Sequence, residues 1–393
     1  MQRFREQHWG LHPKIDPEFG PQPSSHKTTL TGDEGEEIDI TLELSDKERV
    51  SHYGLNSRAT NLFSIKSDKL SIEDDLVVKV FWAEATRTSE PDILKRVYEI
   101  AHDQDIEGHV PAMLWYKSFE ETSTAKVRQR LGLKTEGARV LYTIIFRKLR
   151  PITELTGRDF LLAWWETVKC HLALWQNDVY HRDISASNLM YRTVNGKIVG
   201  VLNDFDLAST EKTATGTERT GTIPFMALDL LEDDALEGHV SHAYKHDAES
   251  FIWVMIWICL RYDDGTPRER GRPLDAWLKV DAFGCRKEKS DFLRGKERRS
   301  LKPGKGHEEN WKLATAYINA LVMINATIST SPEDQDPYVQ TDDAFKAYLS
   351  DVIRPFLEIP ADGPREDTSQ VVTSCLTSES EEWELVSTNA NAE

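Results

Sequence analysis

The sequence predicts an α+β fold in which a strand-rich region precedes a larger helix-rich region. Residues 46–150 contain short runs of β-branched and apolar residues bounded by turn-forming residues, a pattern typical of strands. Residues 151–360 contain apolar residues at the spacing of amphipathic helices. The chain has 393 residues, 39% of them hydrophobic, so it is long enough for two or three compact units with a sizeable core.

The strand-rich region contains three predicted strands and one predicted helix. The strands are expected at residues 60–65, 76–82 and 140–146. Between the last two, residues 90–101 place four apolar side chains on one helical face: Ile93, Leu94, Val97 and Ile100. Residues 117–137 are polar, and we expect an enlarged loop there.

The helix-rich region begins with an amphipathic helix over residues 159–175, which is rich in Leu and Trp. Two further helices are predicted at residues 251–260 and 310–324. The apolar run at 251–260 is too short to cross a bilayer. We therefore expect a buried helix there and no membrane association.

Both ends of the chain differ in composition from the middle. Residues 1–45 contain Pro, Gly, Ser and an acidic patch at 33–37, and we expect a loosely ordered extension. Residues 361–393 are rich in Ser, Thr and Glu, and we expect a disordered acidic tail.

Charge and cysteine content limit the partners and the compartment. The chain has 48 basic and 66 acidic residues, a net charge of −18, which argues against binding to nucleic acids or anionic membranes. Its four cysteines lack CxxC spacing, so neither a disulfide framework nor a zinc site is predicted. The first residues also lack the apolar segment of a secretory signal. We expect an intracellular protein, cytoplasmic and/or nuclear, whose oligomeric state the sequence leaves open.

The segment His181–Asn188 reads H-R-D-I-S-A-S-N, and a second acidic motif, Asn203–Asp206, follows it closely. Phosphoryl transfer needs one carboxylate free of metal to receive the hydroxyl proton, plus a separate carboxylate and an amide to hold Mg²⁺. Asp183, Asn188 and Asp204 supply that set. The sequence therefore predicts a phosphoryl-transfer site in which Asp183 is the base and Asn188 and Asp204 are the metal ligands.

These motifs resemble the catalytic core of the eukaryotic protein kinases. Over residues 50–358 the chain is similar to the fungal-type protein kinase family. The similarity rests on four sequence motifs: HRDIS-x-x-N, NDFDLA, GT-x-PFMA-x-x-LL and HD-x-ESF-x-W. The resemblance implies a bilobal protein kinase-like fold, with an N-lobe over residues 46–150 and a C-lobe over residues 151–360. It also implies ATP and Mg²⁺ as cofactors and protein substrates as partners.

The resemblance assigns nucleotide contacts to the N-lobe. Lys79 matches the lysine that contacts the α- and β-phosphates, and Glu90 matches the helix glutamate that positions this lysine, with Glu99 as the competing glutamate. Ser57 and Ala59 stand where the phosphate-covering loop of the family has glycines. Both residues can still offer backbone N–H groups to phosphate, although with less backbone freedom than glycine.

Gly221–Asp229 resembles the end of a kinase activation segment. Thr222 matches the threonine that serine/threonine kinases hold against the catalytic base. Asp229 takes the place of a glutamate, and we expect it to pair with a buried arginine that the sequence does not identify. Arg182 typically docks this segment through a negative charge, which Glu218 or a neighbouring phosphothreonine would provide.

Other positions extend the resemblance or depart from it. Asp247 matches an aspartate whose carboxylate accepts backbone N–H groups of the catalytic loop, although a plain helix N-cap is the alternative. Asp206 replaces a glycine and Ser185 replaces a phosphate-contacting lysine, but neither change deletes a required group. The basic run at 286–305 is expected to be a solvated loop, with an acidic-substrate docking site or a nuclear-import patch as alternatives.

The predicted function is ATP-dependent transfer of the γ-phosphate to serine and threonine hydroxyls of proteins. A catalytically weak pseudokinase that acts as a nucleotide- or protein-binding scaffold is the first alternative, because the nucleotide loop is poor in glycine and Ser185 replaces a lysine. A small-molecule phosphotransferase is the second alternative. Such enzymes generally lack a segment like Gly221–Asp229, which argues against this reading.

Overall fold

The structure has the predicted α+β fold, with a curled antiparallel sheet in its N-terminal part and mostly helices in its C-terminal part. The chain divides into two units, Met1–Val352 and Ile353–Glu393, and the fold described below belongs to the first, apart from residues 353–357. The predicted lobe boundary at residue 150 stays a prediction, and the predicted tail at 361–393 lies outside the described residues. This computed structural model describes residues 25–32, 35–43, 50–51, 59–211, 221–236, 240–295, 298–328 and 337–357.

The large sheet contains seven strands in the described part of the chain. They are β1 Ser25–Thr31, β2 Glu37–Glu43, β3 Val50–Ser51, β4 Asn61–Ser67, β5 Ser71–Glu84, β6 Met113–Phe119 and β7 Arg139–Arg147. Their order is β1-β2-β4-β5-β7-β6, and β3 pairs with β4. Helix α1, Glu90–Asp103, connects β5 to β6. The predicted strands at 76–82 and 140–146 lie within β5 and β7, and the one at 60–65 overlaps β4, which begins at Asn61; β6 was not predicted.

The first two strands correct the prediction of a loosely ordered extension over residues 1–45 where they lie, at 25–31 and 37–43; residues 1–24 lie outside the described residues. In β2, Ile38, Ile40 and Leu42 alternate with polar residues and are all buried. These side chains pack with Phe63 of β4 and Val78 of β5 in one apolar cluster. The burial of apolar area on one face of β2 stabilises its pairing with the sheet, despite the acidic residues that precede it.

The remaining helices form the C-terminal part, except that α2 lies in the polar insertion predicted as an enlarged loop. They are α2 Thr124–Arg130, α3 Gly157–Gln176, α4 Asp233–Leu236, α5 Tyr244–Arg261, α6 Ala282–Arg294, α7 Glu308–Ile328 and α8 Pro337–Leu357. The predicted helices at 159–175, 251–260 and 310–324 lie within α3, α5 and α7. Every residue of α5 is buried, in agreement with the expectation of a buried helix.

Aromatic side chains hold α3, α5 and α7 together. The ring of Trp164 on α3 lies 6.2 Å from that of Phe251 and 5.8 Å from that of Tyr317, measured between centroids. The Trp164 indole also donates to the Phe251 carbonyl at 3.2 Å, so its burial leaves no unsatisfied N–H. In the described part of the chain, no helix combines the length and the apolar character needed to span a membrane.

A small sheet positions the segments that carry the phosphoryl-transfer motifs. It consists of β8 Arg150–Pro151, β9 Leu189–Val194 and β10 Lys197–Leu202; a further hairpin joins β11 Tyr262–Asp263 to β12 Thr266–Pro267. Strand β10 crosses α3 so closely that a Cβ on Gly200 would lie 2.1 Å from the Ala163 carbonyl oxygen. The β9–β10 hairpin thereby brings its two flanking segments together, and the Asn203 N–H donates to the Asn188 carbonyl at 2.9 Å.

Candidate active site

Four segments distant in sequence converge at the site. Strand β5 carries Lys79, and α1 begins at Glu90. The catalytic loop, defined here as residues 181–188, connects α3 to β9, and Asp204 follows β10. Because these segments come from both the sheet and the helical part, the site depends on the packing of one against the other.

Lys79 lies at the centre of an ion-pair network. Its Nζ lies 2.7 Å from Glu90 Oε2 and 2.7 Å from Asp204 Oδ1. The side chains of Lys79 and Glu90 are only 8% and 2% exposed, whereas that of Asp204 is 38% exposed. Glu99, the competing glutamate, is exposed and pairs with Arg96 at 2.8 Å. The structure therefore brings Glu90, and not Glu99, to Lys79.

Burial and neighbouring charges act in opposite directions on Lys79. Burial alone would lower its pKa, but the carboxylates of Asp204 and Glu90 raise the pKa above its ordinary value. The ammonium is therefore charged at neutral pH. Burial also raises the pKa of Glu90, against the attraction of Lys79. The network consequently combines one buried cation with one buried and one partly exposed carboxylate.

Asp183 is fixed by hydrogen bonds to both of its carboxylate oxygens. Thr222 Oγ1 donates to Asp183 Oδ1 at 2.9 Å. Asn188 Nδ2 donates to Asp183 Oδ2 at 3.1 Å and to the Asp183 carbonyl at 2.9 Å. Burial, together with the nearby charge of Asp204, raises the pKa of Asp183 to about 6. A carboxylate with a pKa this close to neutral can accept a proton readily and is still mostly ionised at pH 7.

Asp247 on α5 contacts the backbone of the catalytic loop. Arg182 has a φ of 65°, in the left-handed region that is unfavourable for residues other than glycine. Its N–H donates to Asp247 Oδ2 at 3.2 Å. The same carboxylate bonds His171 Nε2 at 2.8 Å and His242 Nε2 at 2.9 Å. Asp247 therefore accepts a backbone N–H of the loop, and this bond supports the strained conformation of Arg182.

The pKa of Asp247 reflects the same contacts. Burial would raise it, but the charge of His242 and the hydrogen bonds from both histidines hold it well below its ordinary value. Neither histidine was identified from the sequence. His171 could have been noticed as a polar residue on the apolar face of α3, whereas His242 has no comparable local signal.

His181 connects the catalytic loop to the segment that carries Asp204. Its Nε2 lies 3.0 Å from the Asn203 carbonyl oxygen, and its ring lies 4.9 Å from that of Phe205. Burial lowers the pKa of His181 to about 4, so the ring is neutral at pH 7. These contacts are those of a packed scaffold residue.

Among the described residues, Asp229 pairs with a lysine and not with the arginine expected from the sequence. Its carboxylate contacts Lys245 Nζ and lies 3.8 Å from His246 Nε2, both at the start of α5. A lysine can take the place of the expected arginine because the Lys245 ammonium is buried and requires a counter-charge. The proximity of His246 and the ion pair with Lys245 lower the pKa of Asp229 below its ordinary value, against the effect of burial.

Several predicted residues lie at or beyond the edge of the described part. Ser57 and Glu218 lie outside the described residues, as do the threonines at 213, 215, 217 and 220. Ala59 is described and has a φ of 47°, the left-handed conformation that glycine adopts more easily. Arg182 Nη2 donates to the carbonyl of Glu211, the last described residue before the gap that contains Glu218, at 2.8 Å.

Asn188 and Asp204 each carry a side-chain oxygen of the kind that suits Mg²⁺. Hard oxygen ligands are those this ion prefers, and it commonly takes one or two from protein and the rest from phosphates and water. Asn188 uses its Nδ2 to reach Asp183, and its Oδ1 accepts from Ser187 Oγ at 3.3 Å. Within the described ranges, no cluster of three or more His, Cys, Asp or Glu side chains could hold a metal by itself.

Comparisons with known proteins identify a family that the chain resembles. The family model described as fungal protein kinase matches residues 3–259. Among solved structures, the chain is similar to a kinase of the Cydia pomonella granulovirus, with 12% sequence identity and a TM-score of 0.34. That similarity covers 54% of this chain and 70% of the viral one. None of the curated proteins compared with the chain matches it.

Proposed function

Because the chain belongs to the fungal protein kinase family, we propose that it transfers the γ-phosphate of ATP to serine and threonine hydroxyls of protein substrates. The observation that carries the proposal is the position of Asp183. Its carboxylate is fixed by Thr222 and Asn188. The Lys79 network lies in the same site, since Asp204 raises the pKa of Asp183 and pairs with Lys79 at 2.7 Å.

Asp183 is the proposed base. An acceptor hydroxyl beside its carboxylate would lose its proton to Asp183 as the oxygen bonds to the γ-phosphorus and ADP departs. A pKa of about 6 supports this role because Asp183 is mostly ionised at pH 7 yet is a stronger base than an ordinary carboxylate.

Lys79 is the proposed contact for the α- and β-phosphates. Its ammonium is charged, buried and oriented by Glu90, and its second partner, Asp204, is partly exposed. Asn188 and Asp204 would hold Mg²⁺, which supplies neutralisation of the phosphate charge. The backbone N–H groups around Ala59 are a further proposed phosphate contact.

Thr222 supports serine/threonine specificity. Its hydroxyl donates to the carboxylate of the proposed base, which is the contact that the family resemblance associates with serine/threonine kinases. Arg182 is proposed to orient the activation segment, to which it donates at Glu211.

An intracellular location would suit this activity. Cys170, Cys259 and Cys285 are buried free thiols, which is compatible with a reducing compartment. We propose intracellular protein substrates as the partners, in the cytoplasm, the nucleus or both.

The test is phosphate transfer from γ-labelled Mg·ATP by the full-length protein. Acceptors would be degenerate peptide libraries with Ser, Thr or Tyr at a fixed central position, with choline and kanamycin as small-molecule acceptors in parallel. We expect label in the Ser and Thr libraries and a loss of label in Asp183→Asn. Asp159→Asn, which changes an exposed carboxylate on α3, is the matched control.

The other outcomes identify the alternatives. Label in choline or kanamycin alone would indicate a small-molecule phosphotransferase, and label in the Tyr library alone would contradict the proposed specificity. Equal incorporation by wild type and Asp183→Asn would contradict the enzyme proposal. Stabilisation by Mg·ATP without any transfer would indicate a pseudokinase.

A further inference from the structure

Lys289 on α6 is fully buried, although it belongs to the basic run that was expected to be a solvated loop. Its Nζ donates to the Met226 carbonyl oxygen at 2.6 Å. The same ammonium lies 4.6 Å from the centroid of the Trp253 ring and 5.4 Å from that of Trp277. The side chain therefore crosses the aromatic core to reach the backbone of residues 222–229, here named the Thr222 loop.

An ammonium in this position needs compensation because transfer of a charge from water to a protein interior is unfavourable. The Met226 carbonyl and the faces of two indole rings provide part of it. Glu249 on α5 is also buried and provides an opposite charge. Burial lowers the pKa of Lys289 to about 8, and burial likewise raises that of Glu249. A lysine directed into solvent would avoid this desolvation, so its inward orientation marks a specific contact.

Neighbouring side chains hold the Thr222 loop at two more points. Glu249 Oε1 accepts the Leu228 N–H at 2.9 Å and is itself fixed by the Trp253 indole N–H at 2.8 Å. Cys285, one turn before Lys289 on α6, places its Sγ 3.8 Å from the Ile223 carbonyl oxygen. The loop is therefore held at the carbonyls of Ile223 and Met226 and at the amide of Leu228.

These anchors lie immediately after the residue that contacts the proposed base. Thr222 donates to Asp183, and Met226 is only four residues further along the chain. The Met226 N–H also bonds back to the Thr222 carbonyl at 3.2 Å, which closes a single turn. A displacement of the Met226 carbonyl would therefore be transmitted through one turn to the Thr222 hydroxyl.

We propose that Lys289, together with Glu249, is a positioning residue for protein phosphorylation, because it fixes the Thr222 loop in the geometry that places Thr222 on Asp183 and presents the loop to a protein substrate. The effect of Lys289 on catalysis rests on the proposed function, whereas its effect on the position of the Thr222 loop is independent of that function. The Lys289 and Glu249 pair differs from the ion pair between Asp229 and Lys245, since the Asp229 side chain is 41% exposed and Glu249 is buried.

The kinetic test compares Lys289→Met with Lys287→Met in the full chain. Lys287 lies on the same helix but is exposed, so its replacement removes the same charge without disturbing the loop. With the degenerate Ser and Thr peptide libraries, we expect kcat/KM for peptide to fall about 10- to 100-fold in Lys289→Met. The KM for ATP should change less than about twofold, and Lys287→Met should match wild type in both values. Unchanged peptide kinetics in Lys289→Met would overturn the proposal.

A second measurement reports on the loop without any need for activity. Hydrogen exchange followed by mass spectrometry should show about tenfold faster exchange across residues 221–231 in Lys289→Met, with residues 90–101 unchanged. This result with an inactive wild type would retain the loop anchor and defeat the proposed function. An active wild type with unchanged exchange in the variant would defeat the anchor alone.

A double variant controls for misfolding of Lys289→Met caused by the unpaired Glu249 carboxylate. Lys289→Met/Glu249→Gln removes both buried charges together, so it should fold even if the single variant does not. Its Met226 carbonyl still lacks the lysine donor. We therefore expect fast exchange across residues 221–231 in the double variant as well, and exchange as slow as in wild type would overturn the proposal.

Discussion

Replacement of Lys79 by Met should destabilise the protein by about 3 kcal/mol at pH 7.5, because it leaves the Glu90 carboxylate buried without a cation. Removal of one partner from a buried ion pair typically costs about 3–5 kcal/mol. Glu90 can limit this cost by taking up a proton. Its ordinary pKa is 4.5, so protonation at pH 7.5 costs at most about 4 kcal/mol. We therefore expect the free energy of unfolding to fall by slightly less than this maximum cost of protonating Glu90.

The same argument predicts how the loss of stability in Lys79→Met depends on pH. The pKa of Glu90 is already raised to about 7 in the folded protein, and loss of Lys79 raises it further. A raised carboxyl pKa contributes stability that is present at low pH and is lost as the pH rises through the folded value. At pH 5.5 the cost of protonating Glu90 falls to about 1.4 kcal/mol, so Lys79→Met should be much closer to wild type there.

Two further variants separate the buried charge from other effects. Lys79→Met/Glu90→Leu replaces the whole pair by apolar side chains and should lie within about 1 kcal/mol of wild type. Lys95→Met breaks the pair between Lys95 and Asp92 on α1, whose side chains are 46% and 57% exposed, and should cost less than about 0.5 kcal/mol.

The assay is urea unfolding of the nucleotide-free chain, followed by tryptophan fluorescence at pH 7.5 and pH 5.5. The reasoning is refuted if Lys79→Met loses less than about 1 kcal/mol at pH 7.5, or if the double variant is as unstable as the single one. An equal loss at both pH values would refute the assigned role of Glu90.

Two other predictions follow from the site and its support. The rate of phosphate transfer should fall about tenfold between pH 7.5 and pH 5, because the pKa of Asp183 is raised to about 6 and protonation removes the base; a rate profile that stays flat over this range would contradict the assignment. Gly200→Ala should lower the thermal midpoint by several degrees, because its Cβ would lie 2.1 Å from the Ala163 carbonyl oxygen and would push β10 away from α3. Gly108→Ala, whose nearest contact would be an ordinary 3.5 Å, is the control, and equal midpoints for the two variants would contradict the packing argument.

The spacing of the catalytic motifs made part of the site predictable. Asp183, Asn188 and Asp204 lie on segments joined by one short hairpin, so local spacing alone indicates that they meet. The contact between Lys79 and Asp204 spans 125 residues and was not predicted, although the resemblance to a known family assigned both residues to one site. Long-range contacts of this kind depend on how the sheet packs on the helices, which residue spacing does not encode.

The features that sequence analysis missed share a dependence on distant partners. Strand β2 alternates apolar and polar residues over only seven positions, and the acidic, Pro- and Gly-containing residues around it masked that signal. Lys289 sits in a run of basic residues, and its burial depends on Trp253 and Trp277 from two other elements. The partner of Asp229 proved to be Lys245 because the start of α5 approaches the end of the Thr222 loop.

The central claim is that Asp183 acts as the base in phosphate transfer to a protein hydroxyl. The most direct test is single-turnover transfer from saturating Mg·ATP to the Ser and Thr peptide libraries, with ATP affinity measured separately for each protein. Asp183→Asn should transfer phosphate about 10²- to 10⁴-fold more slowly than wild type, with a Kd for ATP within about twofold. A transfer rate in Asp183→Asn equal to that of wild type would contradict the claim.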